Sequence, residues 1–382
     1  MTNKSLIQSQ DRAPAARQND VAAAGAAANE VAAHYLFEDY KQRRAPRTIQ
    51  THRAALMLWV QYLDLVNAAH SLFSDAEVWM RTEMSADEMR LLVEYSVDQD
   101  VPLPIVAGAH YCQGSPAAWA GVTWGLVEGF VKWLLQQGYS ISSVNGRLSA
   151  IKIYARLAAK AGAIPAQEAL PIRDVRGYGT TEGKRVDVKR PSTRVGHKKA
   201  ESIVLSAEQA RQLKRKHDRT PQGVRDRLMI CLFLDLGLRA SEVAALRVED
   251  LADPGYVIVH RQKTDTVDRM QLTEDLVKVL KAYRPHMRES GVLLRGSERG
   301  GKLNDQLMSV RAIGNRVKLL GRDILSLPEL SPHDLRHTWA TEAAKASSPF
   351  DLRDAGGWSN MQTPSRYVEK NEVVNEGISL GY

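Results

Sequence analysis

The residues that could do chemistry lie in short stretches of the second half of the chain. In PHDLRHTWAT, 332 to 341, a proline suited to the first turn of a helix is followed by His333, Arg336 and His337, which fall on adjoining turns of one face. Two histidines four apart resemble half of a zinc-binding HExxH helix, but Asp334 follows the first and no third ligand suggests itself. A pair of satisfied structural histidines is a second reading. The third is an anion site, in which Arg336 forks onto a phosphate and His333 handles protons.

GLRASEVAALRVEDL, 237 to 251, sets Arg239 after a glycine at a helix–helix corner, where a side chain can leave the core. Glu242 stands one turn on and could hold it; the plain alternative is a surface ion pair, worth little. YVIVHRQKTDTVDRMQL alternates as a hairpin that turns near Lys263 to Thr266. GGWSNMQTPSRY, 356 to 367, is a polar turn that carries Trp358 and, nine residues later, Tyr367. GSERGGKL, 296 to 303, nearly matches a phosphate-cradling loop. Leu303 has no oxygen for Mg²⁺ where Ser or Thr is needed, so nucleotide hydrolysis is not expected.

The order GLRASE, a hairpin lysine, HDLRH, a Gly-Gly-aromatic turn and a tyrosine nine residues on resembles the tyrosine recombinase (phage integrase) family, over about residues 30 to 370. By that resemblance Arg239 matches the first family arginine and Glu242 its acidic companion. Lys263 matches the hairpin lysine, His333 and Arg336 the HxxR pair, and Tyr367 the nucleophile. His337 is also a family habit, read as structural. Trp358 occupies a place more often held by histidine, and Gly356–Gly357 departs from the commoner Leu-Gly. The resemblance implies a mainly α protein with a small antiparallel β-sheet in its catalytic domain, two domains forming a C-shaped clamp on duplex DNA. It implies a site-specific recombinase that cleaves and rejoins strands through a 3′-phosphotyrosyl intermediate, with no metal, ATP or other cofactor.

That set makes chemical sense. Breaking a phosphodiester with a side-chain oxygen needs a nucleophile, neutralisation of charge on phosphorus and a proton for the leaving oxygen. Tyr367 supplies the first, and its ester keeps the bond energy for rejoining. Arg239 and Arg336 would clamp the non-bridging oxygens, Lys263 could protonate the departing 5′-oxygen, and His333 is the remaining proton handler. Trp358 is a donor only, so it acts by shape and by one N–H.

The elements that must position these groups fall into two halves. At 382 residues the chain is too long for one small core. Residues 1–28, rich in Ala, Gln and Asn, read as a flexible arm. Residues 29–176 read as a helical core-binding, DNA-binding domain. RTIQTHRAALMLWVQYLD, WAGVTWGLVEGFVKWLL and SISSVNGRLSAIKIYARLAAKAG are its clearest helices, and strand signals are absent. Residues 177–202 read as a basic linker, with Lys189 and Arg190 among its cations, and residues 203–382 as the catalytic domain with a short tail. Arg147, Lys152 and Arg156 on the third of those helices, and Arg311, Asn315 and Lys318 on a helix after GSERGGKL, are candidate DNA contacts or a plain solvated face.

Composition sets limits on partners. A net charge of +8 suggests a polyanion. Two cysteines far apart exclude a disulfide scaffold and fit a reducing cytoplasm. No apolar run reaches the ~20 residues of a membrane span. The expected partner is double-stranded DNA carrying a recombination site, with four subunits assembling on two duplexes and room for accessory DNA-bending factors. The expected setting is the nucleoid of a bacterium, or a phage or other mobile element. A type IB topoisomerase shares the chemistry, and a catalytically silent DNA-organising protein is the reading from another class.

Overall fold

The computed structural model describes residues 13–188, 202–251, 253–262 and 264–367. The chain divides into two units, Met1–His197 and Lys198–Tyr382. It is mostly helical, with two small antiparallel sheets, both in the second unit.

The first unit runs α1 (Ala13–Gln42), α2 (Pro46–Leu65), α3 (His70–Glu83), α4 (Ala86–Asp98), α5 (Leu103–Gly114), α6 (Trp124–Gln136), α7 (Ile141–Lys160), α8 (Ala166–Asp174) and α9 (Thr180–Val188). The starts follow local chemistry. Pro46 occupies the first turn of α2, Ser85 and Glu88 form a reciprocal capping box on α4, and Thr123 and Ser140 cap α6 and α7. The periodic residues Leu56, Trp59, Val60 and Leu63 are all buried. An aromatic core joins three helices: Trp119 lies stacked between Trp59 at 6.1 Å and Tyr154 at 6.3 Å, and Phe130 meets Trp59 edge-on at 5.3 Å. The Trp119 indole donates to the Cys112 carbonyl at 2.9 Å.

Three boundaries differ from the sequence reading. Residues 13–28, read as an arm, are the first part of α1; their alanines favour helix even where there is little to bury. Thr180–Val188, read as linker, is helix α9, and Gly183 is buried against Ile141. Trp119, read as part of one long helix, sits in a separate 3-10 turn, Pro116–Trp119, before α6.

The second unit runs α10 (Ala207–Arg215), α11 (Pro221–Leu236), α12 (Ala240–Ala245), β1 (Tyr256–Arg261), β2 (Thr266–Gln271), α13 (Glu274–Tyr283), β3 (Arg295–Ser297), β4 (Leu303–Leu307), α14 (Val310–Leu325), α15 (Pro332–Ala344) and α16 (Pro349–Gly356). α11 is the central helix, apolar on most sides, and it ends at Gly237, whose φ of 61° only glycine adopts without strain. β1 and β2 form the expected hairpin, paired from Tyr256↔Gln271 to Arg261↔Thr266. GSERGGKL is the turn of a second hairpin, β3–β4, with Gly300 and Gly301 at positive φ, and not a strand-to-helix phosphate loop. Among the described residues no helix is long and apolar enough to cross a membrane.

The stacked core of the first unit carries the first prediction. Trp119→Ala removes two ring stacks and a buried indole hydrogen bond. It should lower the stability of this unit by about 3–5 kcal/mol, the usual cost of deleting a core tryptophan. Denaturant titration followed by near-ultraviolet circular dichroism measures it, and a loss below about 1 kcal/mol would contradict the packing described.

Candidate active site

A helix leaves its last carbonyls without intrahelical partners. At the end of α16 every one of them is accounted for. Gly357, with φ of 58°, caps the helix; its N–H bonds to Asp354 and the N–H of Trp358 bonds to Arg353, each at 3.0 Å. The next three carbonyls each receive an arginine. Arg261 Nη2 donates to Ala355 O at 2.7 Å, Arg336 Nη2 to Gly356 O at 2.5 Å, and Arg239 Nη2 to Gly357 O at 2.8 Å. Three guanidiniums therefore converge on the negative end of one short helix.

Each arginine is delivered by a different element. Arg336 lies on the second turn of α15. That helix is pinned at its start by Asp334, whose carboxylate accepts from the backbone N–H of Ser331 and of Ile203, each at 2.8 Å. Its other terminal nitrogen donates to Gly237 O at the end of α11. Arg239 caps α12, and Glu242 accepts from its backbone N–H at 2.8 Å and from Nη1 at 2.6 Å. Arg261 ends β1, on the inward face that Val257 and Val259 also occupy. It donates to Asp268 of β2 and stands 3.6 Å from Glu242.

The aromatic residues form a wall beside this cluster. Trp358 stacks on Tyr367 at 5.8 Å with 28° between planes, and the Arg336 guanidinium lies over the indole at 4.7 Å. Trp339 backs Trp358 at 6.3 Å and packs against Gly237, where a Cβ would lie 2.1 Å from its ring. His337 meets the Tyr367 ring edge-on at 4.9 Å. Tyr367 follows a single 3-10 turn, Pro364–Arg366, so its phenol is held by ring contacts on two sides.

Burial sets the electrostatics. It pushes the Tyr367 phenol above its usual value, while Arg336 and Arg366 pull it back. A phenol at its ordinary value of about 10 is only ~0.1% ionised at neutral pH, and burial lowers that further, so a nucleophilic role would need the neighbouring positive charge. Arg336 is pushed down to about 10, first by burial and then by Arg239, with Glu242 opposing; it stays charged at neutral pH. His337 is lowered by burial and by His333, which favours the neutral ring.

The structure brings Arg239, Glu242, Arg336, His337, Trp358 and Tyr367 together. His333 stands exposed on the first turn of α15, and the imidazole touching the tyrosine is that of His337. Glu242 is not a surface acid but a buried one, 4% exposed. Lys263, Lys189 and Arg190 lie outside the described residues. Of the other candidate cations, Arg147 is half-buried, lies over the Tyr139 ring at 4.3 Å and donates to Ser143 O. Lys152 donates to Val175 O at 2.8 Å. Arg156 is exposed and shares a cleft of about 610 Å³ between α7 and α8 with Lys152 and Arg173. Arg311, Asn315 and Lys318 are exposed on α14, Lys318 paired with Glu329 at 3.2 Å.

Three contributors escaped the sequence reading: Arg261, Asp268 and Trp339. Arg261 left a usable signal. It continues the inward alternation of Val257 and Val259, and a charge at an inward strand position must find a partner.

Known proteins share sequence and fold with this chain. The profile of the phage integrase family matches residues 204–373. The chain is 29% identical over 235 residues to the tyrosine recombinase XerC of Xanthomonas axonopodis pv. citri, covering 61% of this chain and 69% of that protein. It is 26% identical over 245 residues to the tyrosine recombinase XerA of Pyrococcus furiosus, covering 63% and 80%. Its fold is similar to that of the XerH site-specific recombinase bound to a palindromic difH substrate, with a TM-score of 0.52 at 13% identity, covering 82% of this chain and 91% of that one. It is also similar to the Tn1549 transposon integrase in complex with transposon right end DNA, at a TM-score of 0.50 and 15% identity, covering 79% and 95%.

The wall position of Trp358 yields a graded prediction. Trp358→His keeps a ring and a donor and should retain much of the single-turnover DNA cleavage rate. Trp358→Phe keeps the stack on Tyr367 without the N–H and should lose about 1–2 kcal/mol of transition-state stabilisation. Trp358→Ala should lose more, because the wall goes too. Wild-type rates in all three, or an unfolded Trp358→Ala protein in a thermal melt, would remove Trp358 from the site.

Proposed function

This chain belongs to the tyrosine recombinase (phage integrase) family, and from that premise we propose how its own residues carry out site-specific cleavage and rejoining of DNA. The observation that carries the reading is the convergence of Arg239 and Arg336 on the Gly356–Gly357 carbonyls beside the stacked Trp358–Tyr367 pair. The Tyr367 oxygen attacks the scissile phosphorus, forming a 3′-phosphotyrosyl bond as the bond to the 5′-oxygen breaks. The phenol proton leaves to His333 or solvent, and Lys263 gives a proton to the departing 5′-oxygen. Rejoining is the reverse, with a 5′-hydroxyl of a partner strand as nucleophile.

Arg239 is the more open of the two clamp arginines, with its side chain 22% exposed, so it meets a non-bridging oxygen directly. Arg336, fixed by two carbonyls and the indole face, adds its charge from below and turns its remaining N–H groups to the same phosphate. Because both are held before DNA arrives, little reorganisation is left for the reaction itself. Trp358 sets the phenol's line of approach.

The DNA partner fits the surplus of cations, and Arg156, Lys152, Arg311, Asn315 and Lys318, with Lys189 and Arg190, are proposed to track the backbone and give a salt-dependent affinity. Four copies on two duplexes is the proposed working assembly; the mass of the protein–DNA complex in solution tests it, and a stable one-copy complex competent for exchange would contradict it.

Two experiments test the chemistry. A nicked duplex substrate can be captured covalently from a randomised pool with the wild-type protein. Tyr367→Phe should bind that duplex as wild type does and form no adduct, while Tyr283→Phe, buried elsewhere, should still form it. An adduct with Tyr367→Phe would overturn the assignment. Replacing the bridging 5′-oxygen of the scissile phosphate with sulfur gives a leaving group that needs no proton. Lys263→Ala should cut this substrate nearly as fast as wild type and fail on ordinary DNA; no rescue would remove Lys263 as the acid.

A further inference from the structure

Arg261 is the third arginine at the end of α16, and nothing above gives it a part in the reaction. It is 1% exposed and sits among the largest fully buried side chains of the protein. Its inward neighbours on β1, Val257 and Val259, show that this face is built for apolar residues. Placing a guanidinium there is costly unless its contacts are needed. Those contacts span three elements: its own strand β1, Asp268 on β2, and Ala355 O on α16. Gly357 is fitted to it, since a Cβ there would lie 2.5 Å from the guanidinium. Its Nη1 is buried, makes no hydrogen bond and faces Glu242 at 3.6 Å. The oxygens of Glu242 thus stay bonded to Arg239 while Arg261 offsets their charge.

Resting on the recombinase reading, we propose that Arg261 is a positioning residue: through Ala355 O it ties both strands of the β1–β2 hairpin to the helix end whose next two carbonyls seat Arg336 and Arg239, and so fixes where the hairpin delivers the leaving-group proton. Lys263 follows Arg261 by two residues in the sequence. A two-stranded hairpin is otherwise held mainly by its own ladder, here from Tyr256↔Gln271 to Arg261↔Thr266. Arg261 closes that base onto the clamp. The hairpin and the two phosphate-binding arginines are then referenced to the same three consecutive carbonyls.

The test compares two variants on the oxygen and sulfur substrates defined above, by single-turnover adduct formation and by duplex affinity. Arg261→Met keeps an unbranched apolar side chain and loses every bond. Asp268→Asn, at a position 33% exposed, weakens only the hairpin leg. Arg261→Met should slow cleavage of the oxygen substrate by roughly 10- to 100-fold, the scale of one charged hydrogen bond. On the sulfur substrate it should recover most of that loss, with duplex affinity unchanged. Asp268→Asn should show a smaller loss with the same rescue. Equal slowing on both substrates, or no slowing, would overturn the proposal, because a residue that only supports the fold or the clamp gives no rescue. If Arg261→Met does not fold in a thermal melt, the substrate ratio of Asp268→Asn decides alone. Wild type must cut both substrates; if it cuts neither, the recombinase reading itself fails.

Discussion

The second unit is organised by one matching problem. A short helix ends with carbonyls that need donors, and three guanidiniums, two of them buried, need acceptors. Ala355, Gly356 and Gly357 on one side and Arg261, Arg336 and Arg239 on the other satisfy both demands at once. Each arginine arrives on a separate element, so the end of α11, the start of α12, the hairpin and α15 are all registered to the last turn of α16. Removing one arginine leaves buried acceptors unpaired, a loss of about 1–3 kcal/mol for each buried group left without a partner. The arrangement is therefore rigid for the reason that makes it expensive.

That rigidity has a charge consequence. Glu242 and Asp268 offset part of the positive charge of the three arginines and leave a positive surplus. With no acids the cluster would repel itself; with one more it would offer nothing to a phosphate. The surplus lies where the phenol of Tyr367 and the Trp358 ring also meet, in a site shielded from water on several sides. In the proposed reaction, charge that develops on a phosphate there would be met by dipoles and cations already in place. The same field favours phenolate at Tyr367 against the burial that opposes it.

Much of this was legible in the sequence. Glycine at 237, the serine and proline helix starts, and the alternation of YVIVHR each encode local structure through φ, capping and period, so the helices and the hairpin could be read directly. Arg336, Trp358 and Tyr367, singled out from their spacing, come together in the structure and lie within one continuous segment. What could not be read was long-range. The bond from Arg239 to Gly357 joins positions 118 residues apart, and that from Arg261 to Ala355 joins positions 94 apart. Acceptors here are backbone carbonyls, which have no letter in the sequence. His333 and His337 lie one turn apart on the same helix, and which of them meets Tyr367 is decided by where the 3-10 turn after Thr363 sends the chain. The helix over 13–28 was missed for a different reason: its alanine-rich composition suits helix and solvent equally and offers no apolar period to read.

The two departures from the commoner sequence pattern, glycine at 356 in place of leucine and tryptophan at 358 in place of histidine, have a single physical cause. The indole of Trp358 folds back over the end of α16, and a Cβ on Gly356 would lie 2.2 Å from it. The ring has no room to yield, because Trp339 backs it, Arg336 covers it and Tyr367 stacks on it. Any side chain at 356 would therefore displace the indole and, with it, the phenol. A smaller ring at 358 would leave that space open and tolerate a larger residue at 356. Gly357 is constrained independently, by its left-handed φ and by the Arg261 guanidinium beneath it. The Gly-Gly-Trp turn is thus a matched set: one glycine admits the indole that stacks on Tyr367, the proposed nucleophile, and the other admits Arg261 at the base of the hairpin.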